Sequence, residues 1–241
     1  MQPELAESVQ AIIPAAGRGT RLRPLTDETP KGLVSVAGRP LLAYVFERLA
    51  SLPIEEMIVV VGHEGEQIIS RFGSTVHGLP VHYVWQESQL GLAHALHQTS
   101  ELVDGSFVVL NGDNVFCDPI PPIYDVDADG AVLVEPVPTD QARETGIVVT
   151  DGDGLVRDIV EKPTDPPSSI STTGAYYLPE DIMDTLASIE PSGTGEYELA
   201  AAIRTLLADG KTFRATVFSG CRQNVNTPAD IACVERLLSM D

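Results

Sequence analysis

A glycine-rich segment with several cations is the part of this 241-residue sequence best suited to chemistry. It runs over 15–31 and contains Gly17 and Gly19, together with the cations Arg18, Arg21, Arg23 and Lys31. Glycines permit positive φ and let backbone N–H groups approach a ligand closely, and successive free N–H groups form an anion-binding concavity. The segment therefore predicts a loop that binds a polyphosphate.

Two better-known glycine motifs do not fit this segment. The dinucleotide fingerprint Gly-x-Gly-x-x-Gly needs a third glycine at position 22, where the sequence has Leu22. The P-loop needs Gly-Lys-Ser or Gly-Lys-Thr, and neither tripeptide occurs in the chain. Both interpretations are excluded.

An acidic residue, Asp113, directly follows the apolar run 107–110 within Gly112-Asp113-Asn114. A carboxylate after a buried strand faces the ligand crevice of an open sheet. Proteins usually hold Mg²⁺ with one or two carboxylates and the phosphates of the substrate. Gly-Asp is also an ordinary turn sequence, but the polyphosphate loop upstream favours a Mg²⁺ site.

The glycine-rich segment reads Gly-x-Gly-Thr-Arg-Leu-x-Pro-x-Thr-x-x-x-Pro-Lys and resembles the N-terminal motif of sugar-1-phosphate nucleotidyltransferases. The alternative is a surface loop that is merely rich in glycine and arginine. Gly112-Asp113-Asn114 and the tripeptide Glu161-Lys162-Pro163 resemble two further motifs of the family. Their order in one chain makes the resemblance specific, and it extends over about residues 9–235. The closest likeness is to glucose-1-phosphate uridylyltransferases and thymidylyltransferases.

The resemblance implies a role for each matching residue. The implied catalytic residues are Arg21 and Lys31 on the triphosphate, Asp113 on Mg²⁺ and Lys162 on the sugar phosphate. The implied nucleotide-binding residues are Ala15, Ala16, Gly17, Gly19, Thr20, Gln86 and Gly91. The implied sugar-binding residues are Asn114, Gly146, Glu161, Thr173, Gly174 and Glu196. Gln86 and Gly91 could instead belong to a polar helix cap.

One position departs from the family pattern. The family usually has a second metal-binding aspartate three residues before Thr-Pro, and this chain has Asn224 there. An amide oxygen can bind Mg²⁺ but adds no negative charge. The metal site could be weakened, shifted to another acid or lost; we expect a weaker site that still turns over, since the phosphates supply most of the charge.

The expected reaction needs no general base, because a sugar 1-phosphate is already an anionic nucleophile. Catalysis then consists of holding two repelling anions in line and neutralising charge. UTP or dTTP and glucose 1-phosphate are the favoured substrates, and guanylyl or cytidylyl transfer is the alternative within the superfamily. There are two alternatives from other classes. One is a non-catalytic nucleotide-sugar binding protein, and the other is a glycosyltransferase that uses Asp125-x-Asp127 or Asp151-x-Asp153.

Composition limits the partners and the compartment. The net charge of −20 indicates an acidic surface suited to a high-salt cytoplasm and argues against nucleic acid as a partner. No apolar run reaches 18 residues, and residues 1–9 lack the apolar region of a secretory signal, so we expect a cytoplasmic protein without a membrane span. A homo-oligomer is possible. The three cysteines are expected to be thiols, and His94 and His97 are not expected to bind zinc.

The pattern of apolar runs predicts the elements that position these residues. Strands are predicted at 9–15, 57–61, 81–85 and 107–110, and helices at 41–51, 65–72 and 90–99. This alternation indicates an α/β fold, a mostly parallel, Rossmann-like three-layer sheet with helices on both faces. The later strands are predicted at 131–137, 147–150, 155–160, 171–178 and 213–218, and helices near 180–187, 196–208 and after Pro228. We expect one domain over 1–241, with a nucleotide-binding half (9–115) and a sugar-phosphate-binding half (116–241).

Overall fold

The computed structural model describes residues 9–239. The strands are β1 (Val9–Pro14), β2 (Ser35–Val36), β3 (Arg39–Pro40), β4 (Ile54–Val61), β5 (Thr75–Val76), β6 (Leu79–Trp85), β7 (Phe107–Leu110), β8 (Asn114–Phe116), β9 (Gly130–Pro136), β10 (Gly146–Thr150), β11 (Val156–Glu161), β12 (Ile170–Leu178), β13 (Phe213–Val217) and β14 (Arg222–Asn224). The helices are α1 (Leu41–Leu49), α2 (Gly65–Phe72), α3 (Leu92–His97), α4 (Ile182–Ser188), α5 (Leu199–Ala208) and α6 (Pro228–Leu238). Short 3₁₀ helices occur at Thr20–Leu22, Lys31–Leu33 and Gln141–Arg143.

One large sheet runs through the molecule in the order β11-β10-β12-β7-β1-β4-β6-β5, and β9 joins β12 to β13 beside this path. Strands β7, β1, β4 and β6 are parallel, as the alternation of strands and helices predicts. Strand β12 pairs antiparallel with β7 and so connects the two halves of the chain. The predicted α/β fold class is confirmed, with antiparallel pairings added mainly by the second half.

Two hydrophobic clusters cover the two faces of the sheet. Successive residues of a strand point to opposite faces. Ile12 therefore packs in a cluster with residues of α3, α4 and α5, such as Ile203, while its neighbour Ile13 packs with residues of α1 and α2, such as Phe46. All of these side chains are fully buried. The helices consequently lie on both faces, which makes the three predicted layers.

The turn that joins β10 to β11 gives one of the two Asp-x-Asp patterns a structural role. The Asp151 carboxylate accepts hydrogen bonds from the backbone N–H groups of Asp153 and Leu155, each at 2.9 Å. Asp151 also pairs with Arg157. The pattern thus closes the predicted hairpin, and the other pattern, at Asp125 and Asp127, lies in an irregular segment before β9.

A small second sheet is absent from the sequence prediction. Strands β8 and β14 pair antiparallel, with Asn114 opposite Asn224 and Phe116 opposite Arg222. Three-residue strands carry too few residues for an apolar periodicity to be visible, so the sequence predicts loops there. This pairing fastens the segment before α6 onto the loop that follows β7.

Candidate active site

Two adjoining cavities lie where β1 and β7 end, at the edge where parallel sheets bind ligands. The smaller one, about 190 Å³, is lined by Ala15, Gly17 and Lys31 of the glycine-rich segment, among others. The larger one, about 300 Å³, is lined mainly by residues of the second half. Asn111 and Asp113 line both cavities, so the acid predicted for the metal stands where they meet.

Only two of the four cations on the glycine-rich segment border these cavities. Lys31 lines the smaller cavity and Arg21 the larger one. Arg23 is largely exposed and pairs with Asp27 four residues on, at 3.3 Å. Arg18 donates from Nε to the side chain of Gln89 at 3.3 Å. Arg21 and Lys31 are therefore the cations placed to meet an anionic ligand.

Lys31 connects three segments of the chain. Its Nζ lies 2.7 Å from Asp113 Oδ2 and 2.8 Å from Asn226 Oδ1. The side chain is only 13% exposed, which strengthens the ion pair because little water screens it. Gly19 packs against the stem of Lys31, and its carbonyl accepts a hydrogen bond from the Thr26 hydroxyl at 2.8 Å. The loop is thereby held against the acid.

Asp113 and Asn224 are neighbours and have the donor atoms that a hard cation needs. The β8–β14 pairing joins their segments, and the Val225 N–H donates to the Asp113 carbonyl at 2.9 Å. Within residues 9–239, Asp113 Oδ1 and Asn224 Oδ1 are both inaccessible to solvent and lack a hydrogen-bond donor. Buried oxygens without donors are rare, and carboxylate and amide oxygens are ligands of Mg²⁺. The two residues fit a magnesium ion, although no cluster of three acidic, histidine or cysteine ligands exists in this part of the chain.

Glu161 and Lys162 stand together on the wall of the larger cavity. Their charged groups lie 3.4 Å apart, and Lys162 is 60% exposed at the end of β11. Burial raises the pKa of the Glu161 carboxyl above its ordinary value, and the neighbouring Lys162 ammonium partly opposes that shift. Gly146 lies opposite Glu161 in the β10–β11 pair and lines the same wall. A carboxylate and an ammonium are thus presented side by side.

Gly174 brings the backbone of β12 against two asparagines. Its φ is 80°, and a Cβ added there would lie 2.6 Å from Asn114 Nδ2 and 2.8 Å from Asn111 Nδ2. Only glycine suits this conformation and this approach. Thr173 also borders the larger cavity, but its hydroxyl already donates to the Leu133 carbonyl at 3.0 Å. Thr173 is therefore positioned as a wall of the cavity.

Gln86 and Gly91 do not border either cavity. Gln86 is only 3% exposed, and its Nε2 lies 3.2 Å from the Gly91 carbonyl and 2.8 Å from His94 Nδ1. Gly91 has a φ of 102°, and a Cβ there would come within 2.6 Å of the Tyr197 carbonyl. These contacts are the ones expected if the pair organises the entry to α3, and nucleotide binding by Gln86 and Gly91 stays a prediction.

The other predicted positions divide between the two cavities and the surrounding loop. Asn114, Gly146, Glu161, Thr173, Gly174, Glu196 and Asn224 line the larger cavity, and Ala15 and Gly17 line the smaller one. Ala16 is buried beneath the loop, while Gly19 and Thr20 lie on it without bordering either cavity. Most of the predicted residues therefore border one of two adjoining cavities, and Ala16, Gly19, Thr20, Gln86 and Gly91 lie outside both.

Three polar residues at the site were missed by the sequence analysis. Asn111 follows β7 directly, so its position at a strand end was an available signal. Arg222 donates through its guanidinium to Asn114 Oδ1 and to Glu135, and Asn226 accepts from Lys31. Nothing local in the sequence marks Arg222 or Asn226, because both reach the site through the β8–β14 pairing.

Comparisons with known proteins agree with this geometry. A model of the nucleotidyl transferase family matches residues 10–226. UTP–glucose-1-phosphate uridylyltransferase AglF of Haloferax volcanii is 39% identical over 226 residues, which cover 92% of this chain and 93% of that protein. Glucose-1-phosphate thymidylyltransferase of Streptomyces griseus is 32% identical over 236 residues, covering 95% of this chain and 66% of that protein.

The fold is likewise shared with a solved structure. UDP-glucose pyrophosphorylase in complex with UDP-glucose aligns with a TM-score of 0.87 and 24% identity, covering 97% of this chain and 99% of that chain. This likeness concerns the fold alone. The match of the family model and the identity to full-length relatives confirm the resemblance predicted from the motifs: the chain belongs to the nucleotidyl transferase family, among the enzymes that act on sugar 1-phosphates.

Proposed function

We propose that this chain transfers a nucleotidyl group from UTP or dTTP to glucose 1-phosphate, giving a nucleoside-diphosphate sugar and pyrophosphate. The observation that carries the proposal is the pair of cavities that meet at Asp113, one beside the glycine-rich loop and one beside Glu161 and Lys162. A transfer between two anionic substrates needs two adjoining sites with cations at both. The names of the two relatives support this choice of bases and sugar.

In the proposed reaction, a phosphate oxygen of the sugar 1-phosphate attacks the α-phosphorus of the triphosphate. The new P–O bond forms as the bond to the β-phosphate breaks, and the electron pair leaves with pyrophosphate. Lys31 in the smaller cavity and Arg21, which is on the same segment but borders the larger cavity, would hold the triphosphate, and Lys162 would hold the incoming phosphate. Their charges reduce the repulsion between the two substrates, which is the main barrier to such a transfer.

Glu161 would accept hydrogen bonds from the sugar hydroxyls. A carboxylate accepts through two oxygens and can therefore bind neighbouring hydroxyls together. Asn114, which borders the same cavity beside Gly174, would offer its amide. Gly146 and Thr173 would form apolar or backbone parts of the wall, and Glu196 borders the cavity as a second acceptor.

Mg²⁺ is the proposed cofactor, and Asp113 with Asn224 would hold it. When bound, it would neutralise charge on the α-phosphate and on the departing pyrophosphate. The chain's own contribution is to keep the two oxygens of Asp113 distinct: Oδ2 accepts from Lys31, while Oδ1 has no donor in residues 9–239. Asp113 can thus keep its ion pair with Lys31 through Oδ2 while Oδ1 binds a metal ion.

The proposal extends to the organisation of the chain and its compartment. Residues 9–115 would form the nucleotide-binding half and 116–241 the sugar-phosphate-binding half of a single domain. The acidic composition suits a high-salt cytoplasm without nucleic-acid partners, and the AglF relative belongs to Haloferax volcanii. In residues 9–239, no helix is long and apolar enough to cross a bilayer. A homo-oligomer is compatible with the proposal but does not carry it.

The test is pyrophosphate release across a matrix of nucleoside triphosphates and sugar 1-phosphates, with Mg²⁺ at molar KCl. We expect release with UTP or dTTP and glucose 1-phosphate. Arg21→Ala should impair triphosphate use, whereas Arg23→Ala is the matched control on the same loop, since Arg23 pairs with Asp27 and borders neither cavity. Equal effects of the two substitutions would contradict the assignment of Arg21.

A non-catalytic nucleotide-sugar binding protein is the second candidate. Asn224 favours it, because the site lacks the second acid that the family pattern has. Binding of UDP-glucose or dTDP-glucose without pyrophosphate release from any substrate pair would support the binding protein and reject the enzyme.

A further inference from the structure

The structure assigns a positioning role to Arg222: it fixes the orientation of the Asn114 amide and so makes Asn114 a hydrogen-bond donor toward the sugar. This inference rests on the proposed function, because it concerns the cavity assigned to the sugar. The inference goes beyond the proposed function, because the sequence gives Arg222 no role. The residue lies on β14, more than one hundred positions along the chain from Asn114.

The guanidinium of Arg222 is largely buried, at the edge of the larger cavity. Its side chain is 12% exposed, it pairs with Glu135, and it lies 6.0 Å from the centre of the Phe116 ring. A buried arginine without a carboxylate would be costly. Arg222 makes one contact from each terminal nitrogen, Nη2 to Glu135 and Nη1 to Asn114, and these two contacts together set the plane of the guanidinium. Glu135 on β9 therefore holds Arg222 in one orientation, with the other nitrogen directed at Asn114.

The hydrogen-bonding chemistry of arginine then determines which atom of the Asn114 amide faces the guanidinium. A guanidinium has donors and no acceptor, so the atom that faces it must be the amide oxygen, Asn114 Oδ1. The amide nitrogen must consequently point the other way. Nδ2 lies beside Gly174 on the wall of the larger cavity and makes no hydrogen bond within residues 9–239. Asn114 is only 1% exposed, so its N–H groups can meet a ligand oxygen only inside that cavity.

Glu161 and Asn114 therefore have different hydrogen-bonding roles around the sugar. Glu161 accepts hydrogen bonds, while Asn114, as oriented by Arg222, donates one. A hydroxyl that donates its proton to Glu161 still has acceptor lone pairs, so it can also accept from Asn114, and the two residues together fix the direction of that proton. Without Arg222 the amide could rotate by half a turn and present its oxygen, which a hydroxyl already donating to Glu161 cannot satisfy.

The experiment measures binding, so that it does not depend on turnover. Calorimetric titration with UDP-glucose and with UDP gives the ratio of the two dissociation constants, which reports the contribution of the sugar. We expect Arg222→Met to reduce this ratio by roughly tenfold, the size of one hydrogen bond, with UDP binding nearly unchanged. Arg222→Lys should restore part of the ratio, because lysine also donates but cannot pair with both partners.

Arg48 provides the matched control for loss of a half-buried arginine. In residues 9–239 its side chain holds the end of β8 by donating to the carbonyls of Phe116 and of the next residue, Cys117, at 2.9 and 3.0 Å. Arg48→Met should lower the melting temperature and leave the UDP-glucose to UDP ratio unchanged. If both methionine variants reduced the ratio equally, the effect of Arg222 would be structural and the assignment would be wrong.

A double-mutant cycle with Asn114→Ala separates action through Asn114 from direct contact. If Arg222 acts through the amide, Arg222→Met should cause no further loss in the Asn114→Ala background. Additive losses would overturn the inference and place Arg222 on the ligand itself. UDP-glucose binding without pyrophosphate release would reject the proposed enzyme and leave this result intact, whereas no preference of the wild-type protein for UDP-glucose over UDP would reject the inference.

Discussion

The two walls of the site are built in different ways. The nucleotide wall comes largely from one continuous stretch, 14–32, whose glycines and Lys31 are close in sequence and close in space, and Leu92 with residues 111–113 completes it. The sugar wall is assembled from β10, β11, β12 and the segment after β14, which are far apart in the chain. A local loop can be recognised from its residue types, whereas an assembled wall exists only after strands have paired. The proposed metal position lies between the two walls, since Asp113 follows β7 and Asn224 is the last residue of β14.

The largest expected effect is at the junction of the two walls. Asp113→Asn should reduce pyrophosphate release below detection, because it removes the carboxylate that borders both cavities and pairs with Lys31. Steady-state assays with saturating substrates measure this. Asp118→Asn is the matched control, since Asp118 accepts from the Cys221 N–H outside both cavities. Retained turnover in Asp113→Asn would mean that the walls do not meet at this residue.

The next effect should fall on the sugar wall alone. Lys162→Ala should lower kcat/KM for glucose 1-phosphate by roughly tenfold to a hundredfold, the equivalent of about 1.5–3 kcal/mol for one charge-assisted contact. The KM for the triphosphate should stay nearly constant. Lys211→Ala is the control, because that lysine pairs with Asp129 and Asp181 away from the site. Equal losses for both substrates would show that the walls are not separate.

A smaller effect should come from restoring the family's acid. Asn224→Asp should reduce the Mg²⁺ concentration for half-maximal rate by roughly threefold to tenfold, because it adds a charged ligand. Calorimetric binding of Mn²⁺ to the substrate-free protein provides a readout independent of turnover. An unchanged metal dependence would place residue 224 away from the metal. Activity in the variant alone would identify the natural protein as a binder.

The smallest effect concerns stability and pH. Because burial raises the Glu161 pKa above its ordinary value of 4.5, the folded state binds this proton more tightly than the unfolded chain. The stabilisation from the protonated form is complete below that ordinary value and is lost as the pH rises through the raised pKa. Glu161→Gln cannot ionise. We therefore expect the melting temperature of this variant to rise relative to that of the wild type as the pH increases from the ordinary pKa through the raised pKa.

The same variant should bind glucose 1-phosphate more weakly while it becomes relatively more stable at neutral pH. Melting curves of both proteins at a series of pH values, beside KM measurements, test the two expectations together. A constant difference in melting temperature across the series would contradict the burial of this carboxylate. A residue that lowers stability but is needed for binding is expected on the sugar wall, because binding there requires a charged group in a half-buried position.

Most of the large sheet could be predicted because its strands carry strong local signals. The run 107–110 and the helix 65–72 agree with β7 and α2, since apolar periodicity and flanking glycines mark both their type and their length. The small β8–β14 sheet could not be predicted, because three residues per strand show no periodicity. Gln86 is predicted to bind the nucleotide from its chemistry and from the resemblance, and only the tertiary structure shows that its side chain is buried beside His94.

By itself, the sequence determined the family and the α/β fold, and it put Lys31 on the same segment as the glycines, because each of these depends on residues that are neighbours in the chain. The tertiary structure alone decided that Asn226 accepts from Lys31, that Asn224 lies beside Asp113 and that Arg222 orients Asn114. Those contacts depend on which strands pair and in what register. A register is set by the packing of the whole sheet, and no short stretch of sequence contains that information.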